Sequence, residues 1–199
     1  MGLRERRFTP LHLAASEGYL DICQILLELN ADVHLRDKSG NTALHFAASE
    51  GHLEVTRLLL KRRADANSQN KEGLTALQQA SQGMREGHRD IVQLLLDIGA
   101  NWNARDNSGN TALQFAASEG HLEAARMLLE RGADVNSQNI EGLTALQRAS
   151  QGMREGHRDT VRFLLDHGAN WNACDNSGNS ALHFAAFAGH FEASRMLLE

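Results

Sequence analysis

The chain has 199 residues, 42% hydrophobic and 23% charged, with a formal net charge of −5. That balance suits a folded protein and not a disordered one. It also speaks against a general affinity for nucleic acid, which requires a basic face or a high pI, and the short cluster Arg4, Arg6, Arg7 does not alter this. Cys23 and Cys174 stand far apart, and no Asn-x-Ser/Thr sequon occurs. A disulfide framework of a small secreted domain is therefore not expected. No apolar stretch reaches signal-peptide or membrane-span length. Arg6 occupies the place where a myristoylation signal needs Ser or Thr. These features predict an intracellular protein, cytoplasmic or nuclear, with no membrane insertion.

Internal repetition dominates the chain. In order come Thr9-Pro10-Leu11-His12, Thr42-Ala43-Leu44-His45, Thr75-Ala76-Leu77-Gln78, Thr111-Ala112-Leu113-Gln114, Thr144-Ala145-Leu146-Gln147 and Ser180-Ala181-Leu182-His183, at spacings of 33, 33, 36, 33 and 36. Gly18-Tyr19, Gly51-His52, Gly87-His88, Gly120-His121, Gly156-His157 and Gly189-His190 keep step, as do loop motifs such as Ala64–Asn67 and Ala133–Asn136. Each unit reads as two short helices and a turn. In the second, Thr42 is placed to cap a helix whose apolar face is Ala43, Leu44, Ala47 and Ala48. Gly51 then permits the left-handed exit. Leu53, Val55, Leu58, Leu59 and Leu60 form a second apolar stripe. The polar run 64–73 follows, rich in the turn formers Asn, Asp and Gly. Helices this short are unstable alone and must bury their apolar faces against neighbouring units.

This pattern resembles the ankyrin repeat family, whose motif Asp-x-x-Gly-x-Thr-Pro-Leu-His-x-Ala-Ala-x-x-Gly-His is closely matched by residues 37–52 and whose Gly-Ala-Asp-Val-Asn is matched by 132–136. The resemblance implies an all-α solenoid of stacked helix-turn-helix units with protruding β-turn loops. It implies a single domain over 1–199, with units 5–37, 38–70, 71–106, 107–139, 140–175 and 176–199. Several departures stand out. Ala replaces the motif proline everywhere but Pro10. Gln78, Gln114 and Gln147 replace the motif histidine, which in the family helps tie adjacent units. Glutamine also donates and accepts, so only a modest local loss is expected. Arg63 fills a slot that Gly99, Gly132 and Gly168 hold elsewhere, at a cost of roughly 1 kcal/mol if the helix end is left-handed there.

Residues 38–106 and 107–175 agree at 54 of 69 positions, so the pair was copied as a block. Each copy carries three extra residues within Ala80–His88 or Ala149–His157. These either lengthen the first helix or bulge the turn, and Gly83 and Gly152 favour a bulge. Trp102 and Trp171 occur only in the longer units and are expected to fill space between units, with a binding-anchor role as the second reading.

No catalytic, metal or cofactor site is expected. Nine of the ten histidines recur at repeat positions, which spreads them along the chain. No P-loop, Gly-x-Gly-x-x-Gly or Gly-x-Ser-x-Gly motif occurs. The family resemblance instead implies a protein partner held at the turn tips and the exposed, concave side of the first helices. The tips are Lys38, Ser39 and Asn41; Lys71, Glu72 and Leu74; Asn107, Ser108 and Asn110; Ile140, Glu141 and Leu143; and Asn176, Ser177 and Asn179. Ser16, Glu17, Ser49, Glu50, Ser118, Glu119, Phe187 and Ala188 lie at the first-helix ends. Leu74, Ile140 and Leu143 are apolar at tips, as neighbour packing or partner anchors would require.

Three further expectations follow. The last unit stops within its second helix and carries Phe184, Phe187 and Phe191, which implies a continuing array or an end contact with another chain. The array could serve as the recognition arm of a larger enzyme or receptor, or be a consensus-like engineered array. Family members can also be hydroxylated at the loop asparagine, and Asn136 matches that pattern best, with Asn67, Asn103 and Asn172 in the same slot.

Overall fold

A computed structural model of the chain describes residues 8–83, 86–152 and 155–198. Twelve helices occur among them. Two compact units divide at the boundary between the third and fourth repeats, Met1–Asp106 and Asn107–Glu199.

The first unit holds α1 (Pro10–Ser16), α2 (Leu20–Glu28), α3 (Ala43–Glu50), α4 (Leu53–Lys61), α5 (Ala76–Gln82) and α6 (Glu86–Asp97). Each consecutive pair is a hairpin. α1, α3 and α5 pack side by side as one layer, with α2, α4 and α6 as the second. The second unit repeats the plan with α7 (Ala112–Glu119), α8 (Leu122–Glu130), α9 (Ala145–Gln151), α10 (Glu155–Asp166), α11 (Ala181–Phe187) and α12 (Phe191–Met196). No helix is long enough to be stable by itself in water, where about 12–15 residues are marginal. Stability comes from the layers. Leu11, Leu44, Leu77, Leu113 and Leu146, one in each of the first five repeats, are almost fully buried. Each such leucine contributes about 1.5–3 kcal/mol. Ala47, Ala48, Ala116 and Ala117 are buried beside them, and their small side chains let adjacent helices approach closely.

The helix starts are built alike. Thr9, Thr42, Thr75, Thr111, Thr144 and Ser180 are extended N-caps, each in a reciprocal capping box with the side chain three residues on. Here histidine or glutamine does what glutamate does in most such boxes. Arg63 adopts φ 65°, as the sequence predicts, and Asn30 adopts φ 63° at the equivalent end of α2. Asparagine tolerates that conformation better than arginine.

Of the two readings of the three-residue insertions, a bulged turn would involve Met84, Arg85, Met153 and Arg154, which lie outside the described residues. The first helix does not lengthen: α5 has 7 residues against 8 in α3. Gly83 ends it in an extended conformation, φ −74° and ψ 146°. The second helix grows instead, to 12 residues in α6 and α10 against 9 in α4 and α8. The insertion thus feeds an extra turn at the start of the second helix. That turn fits because of two glycine contacts. Gly87 lies so close to the Gly51 carbonyl that a Cβ would overlap it, and a Cβ on Gly156 would sit 2.5 Å from the Gly120 carbonyl oxygen. His88 and His157 fill the space beneath Gly83 and Gly152. Replacing Gly156 or Gly87 by alanine should therefore lower stability by about 1–3 kcal/mol, the usual cost of overpacking, even though alanine favours helix. Denaturant midpoints of the two variants check this; unchanged midpoints would mean that the close approach does not exist.

Candidate protein-interaction surface

The turns between repeats have one design. In the first unit, Asp37 Oδ1 accepts the backbone N–H groups of Ser39 at 2.9 Å and Asn41 at 2.7 Å. Asn70 Oδ1 does the same for Glu72 and Leu74, both at 2.9 Å. In the second unit Asn139 holds Glu141 and Leu143, and Asp175 holds Ser177 and Asn179. Donation from the backbone of Asn179, with help from its side chain and from Ser177 and Gly178, holds the Asp175 carboxyl below the usual range. Neighbouring tips are also joined. Lys71 N donates to Ser39 O at 2.9 Å in the first unit. In the second, Ile140 N donates to Ser108 O at 3.0 Å and Asn176 N to Glu141 O at 2.9 Å.

This geometry sorts the predicted tip residues. The backbone of each tip is used within the fold, so only outward side chains remain for a partner. Lys38, Ser39, Lys71 and Glu72 are exposed in the first unit, as are Asn107, Ser108, Ile140, Glu141, Asn176 and Ser177 in the second. Asn110 and Leu143 do not belong with them, because both are only 7% exposed. Asn110 Oδ1 accepts from Asn139 Nδ2 at 2.9 Å and from the Arg148 guanidinium at 3.3 Å, and the carbonyl of Leu143 receives Gln114 Nε2 at 2.6 Å. Asn41, Leu74 and Asn179 are half-buried. Of the three apolar tip residues, Leu143 packs inward, Leu74 lies between, and Ile140 is 67% exposed. At the first-helix ends Glu17, Ser49 and Phe187 are exposed, and Ser16, Glu50, Ser118, Glu119 and Ala188 are half-buried.

Several residues that shape this surface escape a reading by motif. Arg36 bonds the carbonyls of Gly40 and Gln69, while Gln69 Nε2 bridges Gly73 O and Arg105 O. Gln138 bridges Gly142 O and Cys174 O in the same way. The signal was present as a recurring slot just before each tip, but three residue types share it. Arg148 reaches from α9 towards Glu141 at 4.0 Å, where the first unit carries Gln79. Trp102 is half-buried with an unpartnered indole N–H, whereas Trp171 is 52% exposed. Trp171 is thus only half covered. Asn136 is exposed, yet its amide is engaged at both ends: Nδ2 donates to Gly168 O at 3.1 Å and Oδ1 accepts Asn170 N–H at 2.7 Å.

The comparisons with known proteins agree with this architecture. A family model described as ankyrin repeats in three copies matches residues 2–70 and 62–139. A second, ankyrin repeats in many copies, matches 150–198. The chain belongs to the ankyrin repeat family. A solved ankyrin repeat domain from Acinetobacter baumannii superposes with a TM-score of 0.80 at 31% identity, covering 95% of this chain and 96% of that one. Among curated proteins, the potassium channel AKT2/3 of Arabidopsis thaliana is 51% identical over 35 residues. A probable E3 ubiquitin-protein ligase of rice, XBOS33, is 54% identical over 35 residues. Each match takes in 18% of this chain but only 4% and 7% of those proteins. Ankyrin repeats generally serve protein–protein interaction, and the fold is typically a non-enzymatic scaffold.

The motif histidines of these ankyrin repeats have structural work to do. A backbone N–H can only donate and a carbonyl can only accept, so their tautomer follows. Thr9 N–H donates to His12 Nδ1 at 3.0 Å, and His12 Nε2 donates to Leu35 O at 3.0 Å. His45 stands likewise between Thr42 N–H and Leu74 O. Both rings must therefore be neutral. Burial, only partly offset by the carbonyls and by Asp37, holds both below the ordinary value of 6.5. As pH falls below 6.5 the unfolded chain takes up protons first. The stability from these rings is thus full above 6.5 and erodes below it. Gln78, Gln114 and Gln147 make the same two kinds of bond, as in Thr75 N to Gln78 Oε1 at 2.8 Å and Gln78 Nε2 to Ala104 O at 3.1 Å. Glutamine thus keeps both bonds that the motif histidine makes. Replacing His12 and His45 together by glutamine should leave neutral-pH stability nearly unchanged and flatten its fall towards pH 5. Thermal midpoints of parent and double variant across that interval provide the check.

Among the described residues no three His, Cys, Asp or Glu side chains converge as a metal would need, and no helix is long and apolar enough to cross a membrane.

Proposed function

We propose that this chain is an interaction scaffold that grips a protein partner with the outward side chains of its turn tips and the adjoining first-helix face of each unit. What carries the reading is the division of labour at the tips. Their backbone groups are spent on the turn and on the neighbouring tip, while Lys38, Lys71, Glu72, Ile140 and Glu141 point into solvent from a fixed frame. A preorganised frame lets a partner bind without ordering the loops, which lowers the entropic cost of association. The first unit offers mixed charge at Lys71 and Glu72. The second offers Ile140 beside Glu141, with exposed Trp171 on the neighbouring loop as an aromatic anchor of the kind that dominates many interfaces.

The test is affinity capture with the parent chain and with a variant carrying Lys71→Glu, Glu72→Lys and Glu141→Lys. A partner bound by the parent should be lost or weakened at least tenfold by the variant, about 1.4 kcal/mol or more. Circular dichroism should stay unchanged, because all three side chains are exposed. Equal binding by a folded variant would place the surface elsewhere.

A second reading is that the repeats act as the recognition arm of a larger protein. The short matches to a channel and to a probable ubiquitin ligase favour it, since in both the matched stretch is a small part of a much longer chain.

A further inference from the structure

One difference between the duplicated blocks, Gln79 against Arg148, leaves a polar atom without a partner. Asn41, Asn70, Glu72 and Gln79 of the first block correspond to Asn110, Asn139, Glu141 and Arg148 of the second. The frame around the two sites is the same. Asn70 Nδ2 donates to Asn41 Oδ1 at 2.8 Å, as Asn139 Nδ2 does to Asn110 Oδ1 at 2.9 Å. Asn70 Oδ1 accepts the Glu72 N–H at 2.9 Å, as Asn139 Oδ1 accepts that of Glu141 at 3.0 Å. Only the filling differs. In the second unit the Arg148 guanidinium donates to Asn110 Oδ1 at 3.3 Å and stands 4.0 Å from the Glu141 carboxylate. In the first unit Gln79 is half-buried, and its Oε1 is buried with no donor to it. The exposed Glu72 carboxylate has no ion pair among the described residues, and Asn41 Oδ1 accepts there only from Asn70.

Arginine brings five N–H donors, and glutamine brings an acceptor as well as a donor. The first unit therefore gathers the oxygens of Asn41, Glu72 and Gln79 where the second unit holds a guanidinium of its own. Buried polar atoms ordinarily have a partner, so the orphaned oxygen marks a place where one is missing. We propose that the protein gripped by the first unit supplies it. An arginine of that partner enters beside the turn 70–74, and its guanidinium spans Asn41 Oδ1 and the Glu72 carboxylate as Arg148 spans their counterparts. Gln79 turns its amide oxygen to the same group. The second unit takes no such side chain, because Arg148 already fills the place. A planar fork of fixed donors matches spread acceptors better than the point charge of lysine. Exposed Lys71 beside Glu72 balances the local charge, so the choice rests on the fork and not on net charge. The inference rests on the scaffold reading for the source of the arginine, while its chemistry is a property of the free chain.

Nα-acetyl-arginine amide, titrated into the isotope-labelled full chain and followed by two-dimensional NMR, reads the site without a partner protein. The backbone amides of Glu72 and Leu74 and the side-chain amides of Asn41 and Gln79 should shift and saturate. Those of Glu141 and Leu143 should not move. Nα-acetyl-lysine amide at the same concentrations should shift the first set far less. Gln79→Arg should abolish the shifts at Glu72 and Leu74, and Arg148→Gln should create them at Glu141 and Leu143. Each exchange installs the residue that the other block already carries, so both variants should fold, as dispersed spectra would show. Glu72→Gln, at an exposed position, should weaken the same shifts and replaces Gln79→Arg if that variant does not fold. No saturable shift in the parent overturns the proposal. So do equal shifts with the lysine compound, or shifts that persist in folded Gln79→Arg. A partner lost by the charge-reversal variant but held equally by Gln79→Arg overturns the arginine site and leaves the scaffold reading standing. Saturable, arginine-selective shifts with no partner captured would uphold the site and count against that reading.

Discussion

The structure depends on one polar contact made over and over: a side chain at the third position of each first helix, buried in the first five repeats. That side chain accepts the N–H of the helix cap with one end and, in the first five repeats, donates to a loop carbonyl with the other, as at His12, His45, Gln78, Gln114 and Gln147. It connects three things at once, namely the start of a helix, the loop that follows the hairpin and the tip beyond it. Hydrophobic burial drives the helices together without regard to direction. The bidentate side chain supplies the register, because its two bonds are satisfied at only one offset between helix and loop. An unmade bond there would leave a buried polar group at a cost of about 1–3 kcal/mol.

With register set in this way, the tips become a by-product of fixed spacing. Asp37, Asn70, Asn139 and Asp175 each close a turn over two backbone N–H groups, and the turns within a unit then fall within hydrogen-bond reach of each other. The side chains that are left over carry the individuality of the chain. Of the differences between the duplicated blocks, Lys71 against Ile140 and Gln79 against Arg148 lie on or beside the tips, while Val55 against Ala124 and Ile91 against Thr160 lie in the buried layers.

The insertions illustrate a different constraint. Three residues added to a helical hairpin must go somewhere, and the second helices of the longer units are three residues longer than α4 and α8. The extra helical turn satisfies its backbone groups internally. The turn then needs room, which Gly87 and Gly156 supply by letting backbone lie against backbone, and which His88 and His157 fill while donating to Ser49 O and Ser118 O.

Periodicity by itself determined much here. The recurrence of Thr-x-Leu-His or Thr-x-Leu-Gln, of Gly-His and of Ala-Asp-x-Asn, together with helices too short to stand alone, required stacked hairpins and located the tips to the residue. The positive φ at Arg63 was legible too, since glycine fills that slot in other repeats. Tertiary structure decided what spacing could not express. Whether a tip side chain faces solvent depends on which neighbour's carbonyl or amide it meets, so Leu143 and Asn110 turned inward while Ile140 remained outside. Equivalent tryptophans received unequal cover, and glutamine spans the same two groups as histidine. Contacts of this sort join residues about one repeat apart. One-dimensional pattern fixes the phase of such residues, but only the packed chain fixes which atoms meet.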